Sequence, residues 1–264
     1  MIGPRLTAVI IVALLAGPTA VALAATQVGI VRPTSEPARP SAALGAQLYA
    51  GNCASCHGIA GAGISAARPG AGAVPGAGPP LRRVGALAVD FYLRRGYMPL
   101  SGIHDEPGDQ RVLFSDKEIR SLVAYVAGLG RGPAIPHPVP DPANISDGFS
   151  LFTDHCSGCH QLVGRGGFVT GAKVPPLQSI APTQIAEAVR IGPYLMPRFS
   201  RTQISDRQLN AIIAYVQSTS HPDNRGGWGI GNLGPIPEGL VAWWIGAPLL
   251  VLSARAVSRR RRSG

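Results

Sequence analysis

At 264 residues the chain has room for one large domain or two small ones, and 34 glycines with 25 prolines favour small, loop-rich units. Charged residues are only 14% and aromatics 6%, which argues against a long solvated helix bundle and against an aromatic-rich β-sandwich. The formal charge of +10 would suggest a nucleic-acid partner, but Arg5, Arg255 and Arg259 to Arg262 lie at the ends, leaving 18 basic against 14 acidic residues between Thr26 and Glu238, so no nucleic-acid binding is expected.

Residues 1–25 come first. Positions 6–25 are almost wholly apolar, follow Arg5 and end in Ala22-Leu23-Ala24, which fits an export signal with a small-residue cleavage site. About 20 apolar residues can also span a bilayer, so an uncleaved N-terminal anchor is the alternative.

The next element is "CASCH" at 53–57, and it recurs as "CSGCH" at 156–160. Internal repetition governs every later reading. Eight residues before the first Cys of each copy stands a glycine, Gly45 or Gly148, followed by Leu48-Tyr49 or Leu151-Phe152. "GPPL" (78–81) answers "VPPL" (174–177), and "YMPL" (97–100) answers "LMPR" (195–198). Each copy closes on the same helix signature: Ser115 with Glu118 and Ser205 with Gln208 as capping boxes. Ile119, Leu122, Val123, Val126 and Leu209, Ile212, Ile213, Val216 then follow at i, i+3, i+4, i+7. The pattern predicts two homologous domains, 41–130 and 144–220, joined by a linker at 131–143; residues 131–144 hold five prolines and have an extended, semi-rigid bias.

Residues 239–257 form the last element. Nineteen residues at 1.5 Å each give about 28 Å, one hydrocarbon thickness. Trp243 and Trp244 suit the outer interface, and Arg259 to Arg262 in the tail, 258–264, place the C-terminus in the cytoplasm by the positive-inside rule. The two repeats then lie on the outer face of the cell membrane.

All four cysteines of the chain sit in the two CxxCH motifs, which leaves none for structural disulfides. A shared zinc site would want the two CxxC pairs about 15 to 20 residues apart, not in separate repeats, and a thioredoxin-type pair would want a βαβ context. C-x-x-C-H is the attachment signature of c-type haem: the thiols form thioethers to the vinyl groups, and the adjacent histidine meets the iron. Two covalently bound haems c are expected, held by Cys53, Cys56 and His57 and by Cys156, Cys159 and His160, with the histidines as proximal ligands. Beyond the initiator the chain has two methionines, Met98 and Met196, one per repeat and each followed by proline, and these are the expected sixth ligands of the iron. His104, His137, His155 and His221 have no repeat counterpart and are rivals for that place, His104 first.

Each repeat resembles a class I cytochrome c domain in its Gly and aromatic pair on the first helix, its CxxCH, its Pro-Leu loop, its Met-Pro and its last helix with Tyr125 or Tyr215. The resemblance implies a mostly α fold in which the first and last helices cross near the glycine, with Pro79 and Pro175 accepting a hydrogen bond from the proximal imidazole. From about residue 41 onward, including the Gly-Pro-x-Pro-Glu-Gly entry to the tail, the chain resembles the dihaem cytochrome c subunits of actinobacterial quinol–cytochrome c reductases, the cytochrome bcc complexes. Residues 66–80 depart from that pattern as a longer Gly/Ala/Pro insert. The resemblance implies cytochrome b and Rieske iron–sulfur subunits as partners, a terminal cytochrome c oxidase as electron acceptor in a respiratory supercomplex, and no catalytic substrate chemistry of the chain's own. A freestanding membrane-anchored dihaem cytochrome serving another dehydrogenase is the main alternative. A dihaem peroxidase, which needs an iron that can open, is the other.

Overall fold

The computed structural model describes residues 29–65, 78–100, 111–220 and 235–262. The apolar N-terminal segment, His104, His221 and most of the 66–80 insert lie outside the described residues. The chain forms two units, Met1–Gln217 and Ser218–Gly264.

The larger unit is mostly helical and is built twice over. Helix α1 (Ala42–Asn52) starts at Ser41, whose hydroxyl accepts from the Leu44 N–H at 3.1 Å. Leu44, Leu48 and Tyr49 line its buried side. A short α2 (Ala54–His57) carries the first CxxCH, and α3 (Gly85–Arg94) follows. Helix α4 (Asp116–Gly128) opens with the expected capping box: Ser115 Oγ accepts from the Glu118 N–H at 3.3 Å, and the Glu118 carboxylate accepts from the Ser115 N–H at 2.6 Å. Ile119, Leu122, Val123 and Val126 are buried, as their spacing requires, in one cluster with Leu44, Leu48, Tyr49, Leu93 and Phe114.

The second half repeats this with α5 (Ile145–His155), α6 (Ser157–His160), α7 (Pro182–Ile191) and α8 (Asp206–Ser218). Ser205 and Gln208 form the second capping box, and Leu209, Ile212, Ile213 and Val216 join Phe152, Ile185 and Val189 in the second core. An antiparallel hairpin of β1 (Gly167–Val169) and β2 (Ala172–Val174), with Phe168 opposite Lys173, is an addition to the helical scheme.

Helix crossing in each half depends on a missing side chain. A Cβ on Gly45 would lie 2.0 Å from the Ser121 carbonyl oxygen of α4, and one on Gly148 would lie 2.0 Å from the Ala211 carbonyl oxygen of α8. The aromatics named in the sequence pack beside these crossings, Tyr49 on Tyr125 with centroids 5.2 Å apart and Phe152 on Tyr215 at 5.3 Å.

Two further contacts organise the unit. Residues 30–32 strap the first half: Val31 exchanges hydrogen bonds with the Asn52 side chain, at 2.8 Å each way, and Arg32 pairs with Glu118 at 2.6 Å. Helices α3 and α7, equivalent elements of the two repeats, pack on each other. The proline-rich segment between the halves is pinned at both ends, since the Pro133 carbonyl accepts from the Leu87 N–H at 3.2 Å and the Val139 N–H donates to Asn210 Oδ1 at 3.1 Å.

The smaller unit holds one long helix, α9 (Pro235–Arg262), which already includes the Pro-x-Pro-Glu-Gly entry and continues through Pro248. Within it Gly239–Arg259, 21 residues, is long and apolar enough to cross a membrane. Trp243 and Trp244 are 75% and 79% exposed along it, as expected of a helix whose surroundings are lipid or other chains rather than its own core.

Candidate haem sites

Each CxxCH is placed by the same local device. Helix α1 stops at Cys53, whose N–H still bonds the Tyr49 carbonyl at 2.8 Å, and the chain turns at once into α2, with the His57 N–H on the Cys53 carbonyl at 2.9 Å. In the second copy the Cys156 N–H bonds the Phe152 carbonyl at 2.8 Å and the His160 N–H bonds the Cys156 carbonyl at 2.9 Å. One helical turn therefore carries both sulfurs and the imidazole, the spacing that thioether attachment needs.

The loop after each motif is held by a tyrosine hydroxyl, from different helices. In the first half Tyr49 Oη donates to the Gly58 carbonyl at 2.8 Å and accepts from the Gly61 N–H at 3.0 Å. Phe152 stands at that place in the second half and has no hydroxyl; there Tyr215 Oη, from the last helix, donates to the Leu162 carbonyl.

His57 Nδ1 lies 2.8 Å from the Pro79 carbonyl oxygen, the bond that fixes an imidazole with Nε2 turned outward. His160 Nδ1 is buried and closes no hydrogen bond of good geometry, although the Pro175 carbonyl lies near enough to act on it. Burial lowers the His160 pKa and Pro175 works in the opposite sense, so the ring is held neutral, the form that binds a metal.

An open apolar cleft lies in the second half. Cys156, Cys159 and His160 line it together with Pro175, Ile185, Val189 and Met196. The structure thus brings His160 and Met196 of the second repeat to one cavity. In the first half Met98 and Cys53 pack against the same core cluster. Of the rival histidines, His155 also lines the second cleft, its ring 5.9 Å from that of Phe199, while His137 is exposed in the linker.

Cleft and donors fit a haem. The walls are apolar, one imidazole is kept neutral, and a thioether is available for a sixth position. Burial, then the neighbouring cysteine, pushes the Cys53 thiol up to about 12 and the Cys156 thiol up to about 11, so both stay protonated until they react.

Residues 42–130 match the family model Cytochrome c, and residues 143–216 match the model described as cytochrome C oxidase, cbb3-type, subunit III. A cytochrome bc1 complex cytochrome c subunit of Corynebacterium diphtheriae is 31% identical over 234 residues, covering 82% of this chain and 80% of the relative. The protein of the same name in Mycobacterium bovis is 33% identical over 214 residues, 76% of this chain and 72% of the relative. The chain belongs to the family of cytochrome bc1 complex cytochrome c subunits. Among solved structures, reduced recombinant cytochrome c4 from Pseudomonas stutzeri is 22% identical over 67% of this chain and 98% of that one, with a TM-score of 0.24, too loose a superposition to bear on how the halves are arranged.

A cytochrome c subunit of this family is an electron-transfer protein that carries haem c and is anchored in a membrane, and this chain has two cytochrome c domains for it. Sequence reasoning missed that the second cleft is completed from the first domain. Phe91, Arg95 and Tyr97, at and beyond the end of α3, line it alongside the second domain's own residues. The recoverable signal was that Leu87, Asp90, Phe91 and Arg94 recur at i, i+3, i+4, i+7 on α3 as a stripe of mixed character, which a helix facing its own core alone would not need.

Proposed function

We propose that this subunit relays electrons one at a time from the Rieske centre of its quinol–cytochrome c reductase to a terminal oxidase held in the same membrane assembly, in place of a soluble cytochrome. The observation that carries the reading is that His160 and Met196 line one apolar cleft with the two sulfurs of the CxxCH turn. When bound, haem c supplies a one-electron couple, and two are expected, one per domain.

The chain's residues then have distinct tasks. Cys53 and Cys56, and Cys156 and Cys159, hold the group covalently at the end of a helix. His57 and His160 would supply the proximal nitrogen; the carbonyl of Pro79 orients the His57 imidazole and strengthens its basicity, and that of Pro175 is placed to do the same for His160 once their bond closes. Met98 and Met196 would supply the sixth ligands, and with both in place no position would be open for an exogenous substrate, which argues against a peroxidase. The apolar walls exclude water and limit reorganisation around a charge that changes by one. Helix α9 anchors both domains at the outer face of the cell membrane with the basic tail in the cytoplasm.

Solubilising membranes in mild detergent tests the reading. The chain should stain for covalent haem with two haems c per polypeptide, and it should co-purify with cytochrome b, a Rieske protein and an oxidase. Quinol should drive oxygen uptake without added soluble cytochrome c. Uptake that depends on adding one would move the protein to the freestanding membrane-anchored alternative, and loss of the thioether-to-iron near-infrared band in neither Met98→Ala nor Met196→Ala would displace both methionines as ligands.

A further inference from the structure

The contact between α3 and α7 contains an acid from each helix. Asp90 is the sixth residue of the ten in α3, and Glu187 is the sixth of the ten in α7. The two acids therefore hold the same position in equivalent helices that pack on each other. Here the like positions are both carboxyls, 4% and 0% exposed.

Their surroundings differ. Arg94 Nε donates to both Asp90 oxygens at 2.9 Å, and Arg94 Nη1 donates to Asp116 at 2.8 Å. Neither Glu187 oxygen closes a hydrogen bond of good geometry, although Asp90 is within reach of it. Arg190, one turn further along α7, spends its Nη groups on the Phe199, Ser200 and Ile204 carbonyls and on Asp206. The charged groups acting on Glu187 are therefore Asp90, which repels a second negative charge, and Arg94, which favours one but is already shared between two aspartates.

We propose that Glu187 and Asp90 hold one proton between the two cytochrome c domains, and that losing it loosens their contact, so that the pair is a proton-operated latch. Two buried carboxylates in contact cannot both stay ionised, and Asp90 has the cation, so the proton sits on Glu187. Burial, then the Asp90 charge, pushes the Glu187 carboxyl up to about 8. The sign follows from linkage. The docked state binds the proton more tightly than the separated state, so docking is strongest below the ordinary carboxyl range. It weakens as pH rises towards the raised value and levels off above it. Loosening would also draw Phe91, Arg95 and Tyr97 away from the second cleft, which they help to line. Neither acid lines that cleft, so the latch reaches the pocket only through the domain contact.

Deuterium exchange on the full-length protein in detergent tests this, reading peptides over 85–94 and 182–191 at pH 5.5, 6.5, 7.5 and 8.5 after correction for intrinsic exchange. Protection should fall about tenfold per pH unit up to about pH 8, the slope for one proton, and then level off. In Glu187→Gln the slope should vanish while protection stays high. In Asp90→Asn, without the repelling charge, the fall should stop at a lower pH than in the wild type. A wild-type profile with no slope, or an unchanged slope in Glu187→Gln, would overturn the latch.

Discussion

Gly45 and Gly148 stand where the first and last helices of each domain cross, and both fail the same steric test, since an added Cβ meets a backbone carbonyl oxygen at 2.0 Å. A flexible side chain could move aside, but Ser121 O and Ala211 O belong to helices whose own hydrogen bonds fix them, so the helices must separate. Overpacking of this kind costs about 1–3 kcal/mol or more. Gly45→Ala and Gly148→Ala should each lower the thermal midpoint measured by far-ultraviolet circular dichroism. Gly128→Ala, at the end of α4 with nothing within 4 Å of the added methyl, should be neutral or gain up to about 1 kcal/mol from helix propensity. Equal effects at all three positions would mean that the crossings do not depend on the missing side chains. At this scale the sequence was informative because the two glycines recur at one offset from the cysteines. The tyrosine hydroxyls were less legible: Tyr49 and Tyr215 serve equivalent loops from non-equivalent helices, so repeat alignment pairs Tyr49 with Phe152 and hides the exchange.

At the scale of the element, the capping box of α4 does more than its motif announced. Glu118 is 2% exposed and accepts not only from the Ser115 N–H but from Arg32, which arrives from the strap 86 residues earlier in the chain. Burial opposes the Glu118 charge, but the Arg32 guanidinium and the Ser115 bonds outweigh it and hold the carboxyl below its ordinary value. A carboxyl depressed in the folded state stabilises it above the unfolded value, near 4.5, and loses that contribution as pH falls through the folded value. Glu118→Gln keeps an acceptor for the Ser115 N–H and removes the charge. It should cost about 1 kcal/mol at pH 7, discounted because Arg32 is half-exposed, and the gap to wild type should narrow steadily as pH falls below 4.5. Parallel melting curves over a falling pH series decide it, and a gap that does not narrow would locate the effect in packing. The corresponding box in the second domain has Gln208 in place of the acid, so α8 should show no such acid dependence through its cap. The sequence showed both boxes from local spacing. Arg32 was invisible because it comes from an extended segment without periodicity, and nothing local ties it to α4.

For the whole molecule, tandem cytochrome c domains were legible because every marker occurs twice. How the domains meet was not: α3 and α7 each read as an ordinary amphipathic helix, and only their packing shows that Asp90 and Glu187 face one another. The terminal helix presents the reverse case, since its length and apolarity are plain in the sequence. A mere tether needs apolarity alone. Helix α9 has more, since Gly239 and Gly246 are seven residues apart and so lie about two turns from each other on one side, where small residues let a second helix approach closely. Exchanging residues 240–257 for a poly-leucine span keeps length and hydrophobicity while filling that strip. The chimera should be exported, carry both haems and stay in the membrane fraction, yet lose co-purification with cytochrome b and the Rieske protein and depress quinol-driven oxygen uptake. Diffusion would not easily restore the proposed relay, because the region between Thr26 and Glu238 carries a formal charge of only +4, which about four propionate charges would cancel, leaving little electrostatic steering. A chimera with full assembly and full respiration would show that the helix is a tether, and that the subunit's place in the complex is fixed by its haem domains alone.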